Sequence, residues 1–515
     1  MQPVLPAAHR LPLFGTSGTR AIELRSATGL PAHALMRRAG EAVARLALAL
    51  APHARCIWIA AGPGNNGGDG LEAAVQLSRL GKQVRVTLVG NSARMPADAG
   101  DALARAQAAG ITIEASGPPM LDAQDIAIDA LLGIGTRRSP DGLIAALIDR
   151  LNALPCPVLA VDVPTGLNVD TGQPLGDTCV TAQHTLSLLT LKPGLFTAAG
   201  RDRAGTVWLD MLGVNVEADT PDAWLTGQQD IVTARPLRLH AQHKGSFGDV
   251  AVVGGAPGMT GAAVLAARAA HAAGAGRVFV NLLDPHAMTH DVLRPELMFR
   301  PDWVASAATV LASSTVVCGC GGGDAVRDVL PRLLSRARRL VLDADALNAL
   351  AADSVLQTLL SARQAAGLAT VLTPHPLEAA RLLNQTTAEV QSDRLTAAAT
   401  LAKRFGCVVL LKGSGTVVAA PDHVPSINST GNAALASAGT GDVLAGWLGG
   451  GWSQMNGPKR SNPPDSTTTV RAFQAAVAAA FAHGAAADQA GQSPLRASDL
   501  IEVMHRIQSG SSGPG

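Results

Sequence analysis

Short apolar runs alternate along the chain with longer segments in which apolar residues recur at helical spacing. The first runs are RCIWIAAG, KQVRVTLVG, DIAIDALLGIG, PVLAVDVPTG, HTLSLLTLK and GTVWLDM. Near-continuous hydrophobicity, with helices between the runs, is typical of a parallel sheet covered on both faces. A further helix is predicted before the first run, over residues 30–50. These patterns predict an α/β domain over residues 1–214.

The alternation stops at NVEADTPDAW, where acidic residues and a proline interrupt it, and a linker is predicted over residues 215–225. It resumes with DVAVVGG, GRVFVNLL, STVVCGCGGG, RLVLDADAL, ATVLTPH and CVVLLKGSG. These runs predict a second, larger α/β domain over residues 226–508. A Pro/Ser/Thr-rich loop at 457–470 and a tail at 509–515, predicted to be disordered, fall outside the pattern.

Composition and charge narrow the function classes. Of the 515 residues 47% are hydrophobic, and the 41 basic and 40 acidic side chains almost cancel. Balanced charge excludes an extended basic face for nucleic acid. No apolar run is long enough to span a bilayer and no leader pattern opens the sequence, so a cytoplasmic location is expected. The six cysteines lack zinc-site spacing and are expected to be reduced core thiols.

The stretch GPGNNGGDG, residues 62–70, follows a predicted strand and precedes a predicted helix. Ligands bind at this edge of an open α/β sheet, and the amides that begin a helix attract anions. The stretch lacks the GxGxxG spacing of a dinucleotide fingerprint and the Lys-Ser/Thr of a Walker loop. It is either a phosphate cradle or an ordinary glycine-rich connector, and its own residues leave both open.

Two aspartates at strand ends favour a polar site. Asp129 lies in IDALLGIG and Asp162 in AVDVPTGL, each within an apolar run. A buried carboxylate is costly unless it is paired, hydrogen-bonded or bound to a cation, although each aspartate alone could simply cap a loop. Together with Asn65, Asn66 and Asp69 they indicate a cluster of oxygen ligands, which suits a hard cation such as K⁺ or Mg²⁺.

In the second half, ALASAGTGDVLAGWLGG places Gly439, Thr440 and Gly441 before an apolar helix and Asp442 in its first turn. Helix-start amides stabilise charge on a transferred phosphoryl group, and an aspartate can move the proton of a substrate hydroxyl. A capping aspartate is the commoner explanation of an isolated motif of this kind. Other strand ends with polar residues favour a site for a nucleotide and a substrate; these residues are Lys412, His375, Asp343 and Asp345. Asp343 and Asp345 are two positions apart and are predicted to lie on one face of a strand.

The motifs NNGGDG, DALLGIGT and VDVPTGL, preceded by LMRRAGEAVA, resemble the NAD(P)H-hydrate epimerase family over about residues 15–214. The resemblance implies a Rossmann-like three-layer αβα domain that inverts C6 of hydrated NADH or NADPH. It implies that Asp162 is the acid/base and that K⁺ binds Asn66, Asp129, Asp162 and Thr165. The implied substrate contacts are Asn65, Asn66, Gly67, Gly68, Asp69, Gly133, Ile134, Gly135, Thr136, Arg137, Arg138, Ser139 and Asp162.

KGSFGDVAVVGG and the motifs of the second half resemble the ADP-dependent NAD(P)H-hydrate dehydratase family over about residues 226–508. This resemblance implies a ribokinase-like αβα domain that phosphorylates the C6 hydroxyl from ADP, with Mg²⁺, and then eliminates phosphate. Asp442 would be the base. The implied substrate contacts are Ala262, Gly321, His375 and Asp442, and the implied ADP contacts are Lys412, Gly413, Ser414, Gly415, Thr416 and Gly441. The chain departs from the family pattern at GCGGG, where GPGLG is usual.

Together the two resemblances predict a bifunctional enzyme that epimerises NADH hydrate and NADPH hydrate and dehydrates one epimer at the expense of ADP. The family association also implies a homo-oligomer. A ribokinase-like kinase of a small vitamin-type alcohol, with an accessory nucleotide-binding N-terminal domain, is the alternative enzyme. A non-enzymatic binding or interaction module is the alternative for the N-terminal half.

Overall fold

The chain forms two compact units. The computed structural model describes residues 1–515 apart from 116, 118–119, 235–237, 457–467, 492 and 511–515. The units are Met1–Pro6 with Leu11–Trp224 and Ala7–Arg10 with Leu225–Gly515. The division falls within the predicted linker, whose last residues form a strand.

The predicted loop and tail lie mostly outside the described residues. Residues 457–467 of the loop and 511–515 of the tail are not described. The remaining part of each prediction is wrong, because residues 468–470 begin a helix and Ser509 ends one.

The first unit contains a parallel sheet of seven strands. They lie in the order β4-β3-β2-β5-β6-β7-β8. The strands of the unit are β1 Leu11–Leu13, β2 Cys56–Ala61, β3 Gln83–Leu88, β4 Thr112–Glu114, β5 Ile126–Ala130, β6 Val158–Val161, β7 His184–Leu188 and β8 Thr206–Asp210. The helices are α1 Thr16–Ala27, α2 Ala34–Leu50, α3 Asn65–Arg79, α4 Ala97–Ala108, α5 Gly142–Asn152 and α6 Gly200–Arg203. The six predicted strands are all present; β1, β4 and α1 were not predicted.

Helices cover both faces of this sheet, which confirms the predicted α/β class. Along β2, Ile57 and Ile59 pack with α2, α3 and α4, whereas Trp58 packs with Leu147 and Ile148 of α5. Because successive strand residues point to opposite faces, one apolar run supplies both cores.

Helix α3 corrects the interpretation of GPGNNGGDG. Only residues 62–64 form a turn, and NNGGDG are the first six residues of the helix. Glycines usually weaken a helix, but here they allow close approach. A Cβ on Gly67 would lie 1.9 Å from the carbonyl oxygen of Gly62, and one on Gly70 would lie 2.6 Å from the Cβ of Ala130. These glycines therefore pack the helix against the sheet.

The Gly67→Ala variant is expected to lose about 1–3 kcal/mol of unfolding free energy, because overpacked sites of this kind cost that much. The added methyl would collide with the backbone at Gly62, which cannot rotate away as a side chain can. Gly100→Ala in α4 is the matched control, since nothing lies within 4 Å of its added Cβ. Thermal melting compares the two; equal stability of Gly67→Ala and wild type would contradict the close packing.

The second unit contains the larger sheet. Its strands from β10 on follow the order β18-β17-β16-β15-β14-β13-β10-β11-β12, parallel except for the antiparallel pairs β16–β17 and β17–β18. Strand β9, Ala223–Leu225, spans the division between the units. The other strands are β10 Asp249–Gly254, β11 Arg277–Leu282, β12 Met298–Phe299, β13 Thr315–Cys318, β14 Arg339–Leu342, β15 Ala369–Leu372, β16 Val408–Leu411, β17 Val417–Ala419 and β18 Ser426–Ile427. The six predicted strands are present, and the short strands β9, β12, β17 and β18 were missed.

Helices also cover both faces of the second sheet. Helices α8, α16, α17 and α18 share one core with it, and α10 to α13 and α15 share the other. The helices are α7 Gln229–Ala234, α8 Thr260–Ala272, α9 Ala308–Ser313, α10 Val326–Arg336, α11 Asp345–Ala352, α12 Ser354–Ala365, α13 Pro376–Leu383, α14 Thr387–Ser392, α15 Arg394–Phe405, α16 Thr440–Ser453, α17 Thr468–Ala490 and α18 Ala497–Ser509. Short 3-10 turns lie at Ser92–Arg94, Pro193–Leu195, Lys244–Phe247, Trp303–Ala305, Ala433–Leu435 and Gln454–Asn456. Among the described residues, every helix is too short or too polar to cross a bilayer.

Candidate active sites

A cleft of about 1150 Å³ opens in the first unit at the carboxyl ends of the strands. The sequence-predicted residues that line it are Asn65, Asn66, Asp69, Gly133, Ile134, Gly135, Thr136 and Asp162. Other predicted contacts lie elsewhere. Gly67 and Gly68 pack inside the fold, and Ser139 lies against Gly176. Arg137 and Arg138 are absent from the described lining.

Asp129 is buried at the end of β5 and is held by Thr165. The Thr165 amide donates to Oδ2 at 2.8 Å, and its hydroxyl donates to Oδ1 at 2.7 Å. The amide of Leu131 also donates to Oδ1, at 3.2 Å. Burial raises the pKa of Asp129 to about 6, against the lowering effect of these hydrogen bonds. The structure therefore brings the predicted pair Asp129 and Thr165 into direct contact.

Asn66 carries a buried amide group without a partner. Its Nδ2 has no hydrogen-bond partner among the described residues. The nitrogen and oxygen of an asparagine amide are assigned from their surroundings, so the buried end is equally an oxygen that lacks a donor. A cation would satisfy such an oxygen. The Asn66 side chain lies beside Gly133, the residue after Leu132, and the Leu132 amide donates to the Thr165 hydroxyl.

Asp162 lies one residue beyond β6, not inside the strand as predicted. Its carboxylate forms an ion pair with Lys192, whose side chain is completely buried. Lys192 was not among the predicted site residues. The available signal was a lysine directly after the buried run HTLSLLTL, because a buried ammonium requires a partner.

Helix α1 adds charged groups that sequence reasoning also missed. Arg20 and Glu23 line the cleft with Asp69. Burial, and next the charge of Asp162, raise the pKa of Glu23. The same two causes raise the pKa of Asp69 well above its ordinary value. The cleft thus holds several carboxyl groups in different environments, which is the arrangement acid/base chemistry needs.

In the second unit Lys412 and Asp343 form an ion pair at strand ends. The Nζ of Lys412 lies 2.7 Å from Oδ1 of Asp343, to which the hydroxyl of Thr373 also donates at 2.8 Å. The predicted placement of Asp343 and Asp345 on one strand face is wrong. Strand β14 ends before Asp343, and Asp345 begins α11, because the chain turns at Ala344 with a left-handed φ of 49°.

Asp442 and Cys320 meet this pair. One ligand atom from each of Cys320, Asp343 and Asp442 lies within 4.8 Å of the others. Burial, and next the charge of Asp343, raise the pKa of Asp442 to about 6. Burial raises the pKa of Cys320 well above its ordinary value, so the thiol stays neutral beside the carboxylates. Cys320 is a buried thiol of the core, as predicted, and it also lies next to the two carboxylates of the candidate site.

The remaining predicted residues surround this cluster in part. A Cβ on Gly441 would lie 3.5 Å from the Lys412 ammonium, which places the start of α16 over that group. A Cβ on Gly321 would lie 2.9 Å from that of Ala262, so these two predicted contacts adjoin. The residues Gly413, Ser414, Gly415 and Thr416 form the connection from β16 to β17.

His375 is fixed by the start of α13. Its Nδ1 accepts from the amide of Leu377 at 3.1 Å, and its own amide donates to Glu378 at 2.8 Å. Burial, and next the charge of Lys412, lower the pKa of His375. Burial raises the pKa of Glu378 to about 7. This cap holds His375 in place at the start of α13.

Both units match known families. A family described as YjeF-related protein N-terminus matches residues 32–194, and one described as NAD(P)H-hydrate dehydratase matches residues 250–509. A relative from Escherichia coli K12, the "Bifunctional NAD(P)H-hydrate repair enzyme Nnr", is 36% identical over 94% of this chain and 91% of its own. A relative of the same name from Coxiella burnetii is 35% identical over 92% and 94%. A solved ADP/ATP-dependent NAD(P)H-hydrate dehydratase from Bacillus subtilis covers 54% of this chain and 95% of its own, at 26% identity and a TM-score of 0.42.

Proposed function

The chain belongs to the family of bifunctional NAD(P)H-hydrate repair enzymes, and we propose that it carries out both reactions of that name. The supporting observation is that one relative matches both halves, over 94% of the chain. We assign C6 epimerisation to residues 1–214 and ADP-dependent dehydration of the S epimer to residues 226–508. An epimerase in the same chain supplies the dehydratase with the epimer that it accepts.

In the first unit, the cleft holds the hydrated dinucleotide, and Asp162 is the acid/base that moves the proton of its C6 hydroxyl. Asn65, Asn66, Asp69 and the loop residues 133–136, which line the cleft, bind the substrate. Asn66, Asp129 and Thr165 are the residues that would hold K⁺, which would neutralise Asp129 and satisfy the Asn66 amide. Asp162, which the resemblance placed in that set, is left out because Lys192 already neutralises its carboxylate.

In the second unit, Asp442 takes the proton of the C6 hydroxyl as the phosphoryl group passes from ADP to that oxygen. AMP leaves, and loss of phosphate with a C5 proton then restores the reduced nicotinamide. The amides of Gly439–Gly441 face the transferred charge, and Lys412 to Thr416 with Gly441 contact ADP. Ala262, Gly321 and His375 contact the hydrate. Mg²⁺ is assigned to the diphosphate of ADP, whose oxygens suit a hard cation.

A location and an assembly are proposed with this function. We propose that the enzyme acts in the cytoplasm, where reduced nicotinamide nucleotides and ADP are available. We also propose that it forms a homo-oligomer. These substrates are small molecules, and no partner beyond further copies of the chain is required.

The deciding experiment supplies mixed hydrate epimers with ADP or ATP and follows both epimers by chromatography. Complete recovery of reduced nicotinamide absorbance, with AMP and phosphate formed from ADP, is expected. Accumulation of a stable phosphorylated alcohol would instead support the alternative, a ribokinase-like kinase. If only one epimer were converted to the reduced nucleotide and the other remained, the first unit would be a binding module and not an epimerase.

The rate of dehydration is expected to fall below pH 6, by about tenfold for each pH unit, because a base must be unprotonated. The pKa of Asp442 is raised to about 6, so its carboxylate form is lost as the pH falls through that value. Steady-state kinetics between pH 5 and 9 measure this fall, which is the acidic limb of the pH–rate profile. The Glu378→Gln variant is the control, because it removes a group whose pKa is about 7 and keeps an acceptor for His375. Disappearance of the limb in that variant would assign it to Glu378.

A further inference from the structure

Lys192 is held by three acceptors in the interior of the first unit. Its side chain is 0% exposed. The Nζ donates to Asp162 Oδ1, to the Leu188 carbonyl at 2.7 Å and to the Ser187 hydroxyl at 3.2 Å. An ammonium group has three N–H bonds, so each has an acceptor within the protein. Lys192 is therefore a fixed positive charge, and no donor remains for a ligand.

The same contacts leave Asp162 with one anchored oxygen and one available oxygen. Oδ1 accepts from Lys192 and from the Leu188 amide at 3.1 Å. Among the described residues none donates to Oδ2, and Asp162 lines the cleft. The backbone of Asp162 has a φ of 67°, a left-handed conformation that costs a non-glycine residue about 1–3 kcal/mol. Such strain is concentrated where a side chain must be aimed at a ligand.

The surroundings of Asp162 are otherwise acidic. Burial is the largest cause of the raised pKa values of Glu23 and Asp69, and the charge of Asp162 is the next. Asp98 acts on both in the same direction, and Lys192 opposes it. Arg20 lies near Glu23 and lowers its pKa. Without Lys192, the Asp162 carboxylate would face these acidic groups with no adjacent cation.

We propose that Lys192 is a positioning residue for epimerisation, which keeps Asp162 charged through Oδ1 and presents Oδ2 to the substrate. Oδ2 takes the proton of the C6 hydroxyl as the C6–N1 bond breaks, which leaves an aldehyde at C6 and the electron pair on N1. N1 then attacks the other face of the aldehyde, and Oδ2 returns the proton to the hydroxyl oxygen, so the two epimers have the same composition. Lys192 remains protonated throughout and touches no substrate. The inference rests on the epimerase function proposed above.

The test measures epimer exchange against pH in the Lys192→Met variant. The acidic limb of the rate profile is expected to move to higher pH by about 1–3 units, because the carboxylate loses its adjacent opposite charge. A lysine that only filled space would lower the rate at every pH and leave the limb in place. Ser187→Ala removes one acceptor but leaves the ammonium beside Asp162, so its limb is expected to stay in place. The double variant described below decides the question if Lys192→Met does not fold. Dehydration by the second unit reports the amount of active chain, and thermal melting reports whether the first unit is folded.

A double variant separates this inference from the proposed function. If Lys192 acts only through Asp162, adding Lys192→Met to Asp162→Asn causes no further loss of exchange; additive losses would overturn the inference. Full exchange in Asp162→Asn alone would overturn the epimerase assignment itself. Loss of exchange in Asp162→Asn together with an unmoved limb in Lys192→Met overturns only the role of Lys192.

Discussion

The Asp442→Asn variant is expected to lose dehydration by about 10²–10⁴-fold, the usual contribution of a positioned acid or base. Asparagine keeps the shape of the side chain at the start of α16 but cannot accept the proton of the C6 hydroxyl. Its neutral amide also removes the repulsion from Asp343, so the fold is not expected to suffer. The measurement is the rate of recovery of reduced nicotinamide absorbance from the S epimer with saturating ADP.

Two observations make that result specific to the base. Asp324→Asn changes an aspartate of the same unit whose side chain is fully exposed, and it is expected to dehydrate at the wild-type rate. Epimer exchange in the Asp442 variant should also continue, because the first unit carries its own acid/base. Dehydration within threefold of wild type would move the base to another group, with Asp343 the first candidate because it lies in the same cluster.

Most of the fold could be predicted because buried parallel strands are apolar throughout. All twelve predicted runs contain strands of the two sheets. The elements that were missed are short or polar. Strand β4 has three residues and α1 reads TSGTRAIELRSA, in which few positions are apolar. Helix α3 was placed too late, because its glycines serve packing and hide the helical pattern.

The candidate sites could be predicted only as far as each residue could be recognised alone. Asp129 and Asp162 stood out as carboxylates in apolar runs. Lys192 comes 30 positions after Asp162, and Lys412 comes 69 after Asp343, so neither partner could be identified from spacing. Cys320 likewise meets Asp442 only in the folded chain. The ion pairs that set the charge of each site are products of topology, which brings separate strand ends to one edge.

The Asp162→Asn variant is expected to lose epimer exchange by about 10²–10⁴-fold while dehydration of the S epimer continues. Supplied with mixed epimers and ADP, it should convert the S fraction and then stop, whereas the wild type converts both. Asparagine retains an acceptor for Lys192 and Leu188 but cannot take a proton. Chromatography of the residual substrate measures the result. Asp177→Asn, an exposed aspartate of the same unit, is the matched control and should convert both epimers.

A loss of activity through misfolding has to be separated from a loss of the base. Removing one member of a buried ion pair typically costs about 3–5 kcal/mol, because the other charge is left unpaired. The double variant Asp162→Asn/Lys192→Met removes both charges and is expected to regain stability without regaining exchange. Its melting temperature should exceed that of Asp162→Asn, and the R epimer should still accumulate. If the more stable double variant exchanged epimers again, Asp162 would be structural, and the proton would be moved by Asp69 or Glu23, the other carboxyl groups that line the cleft.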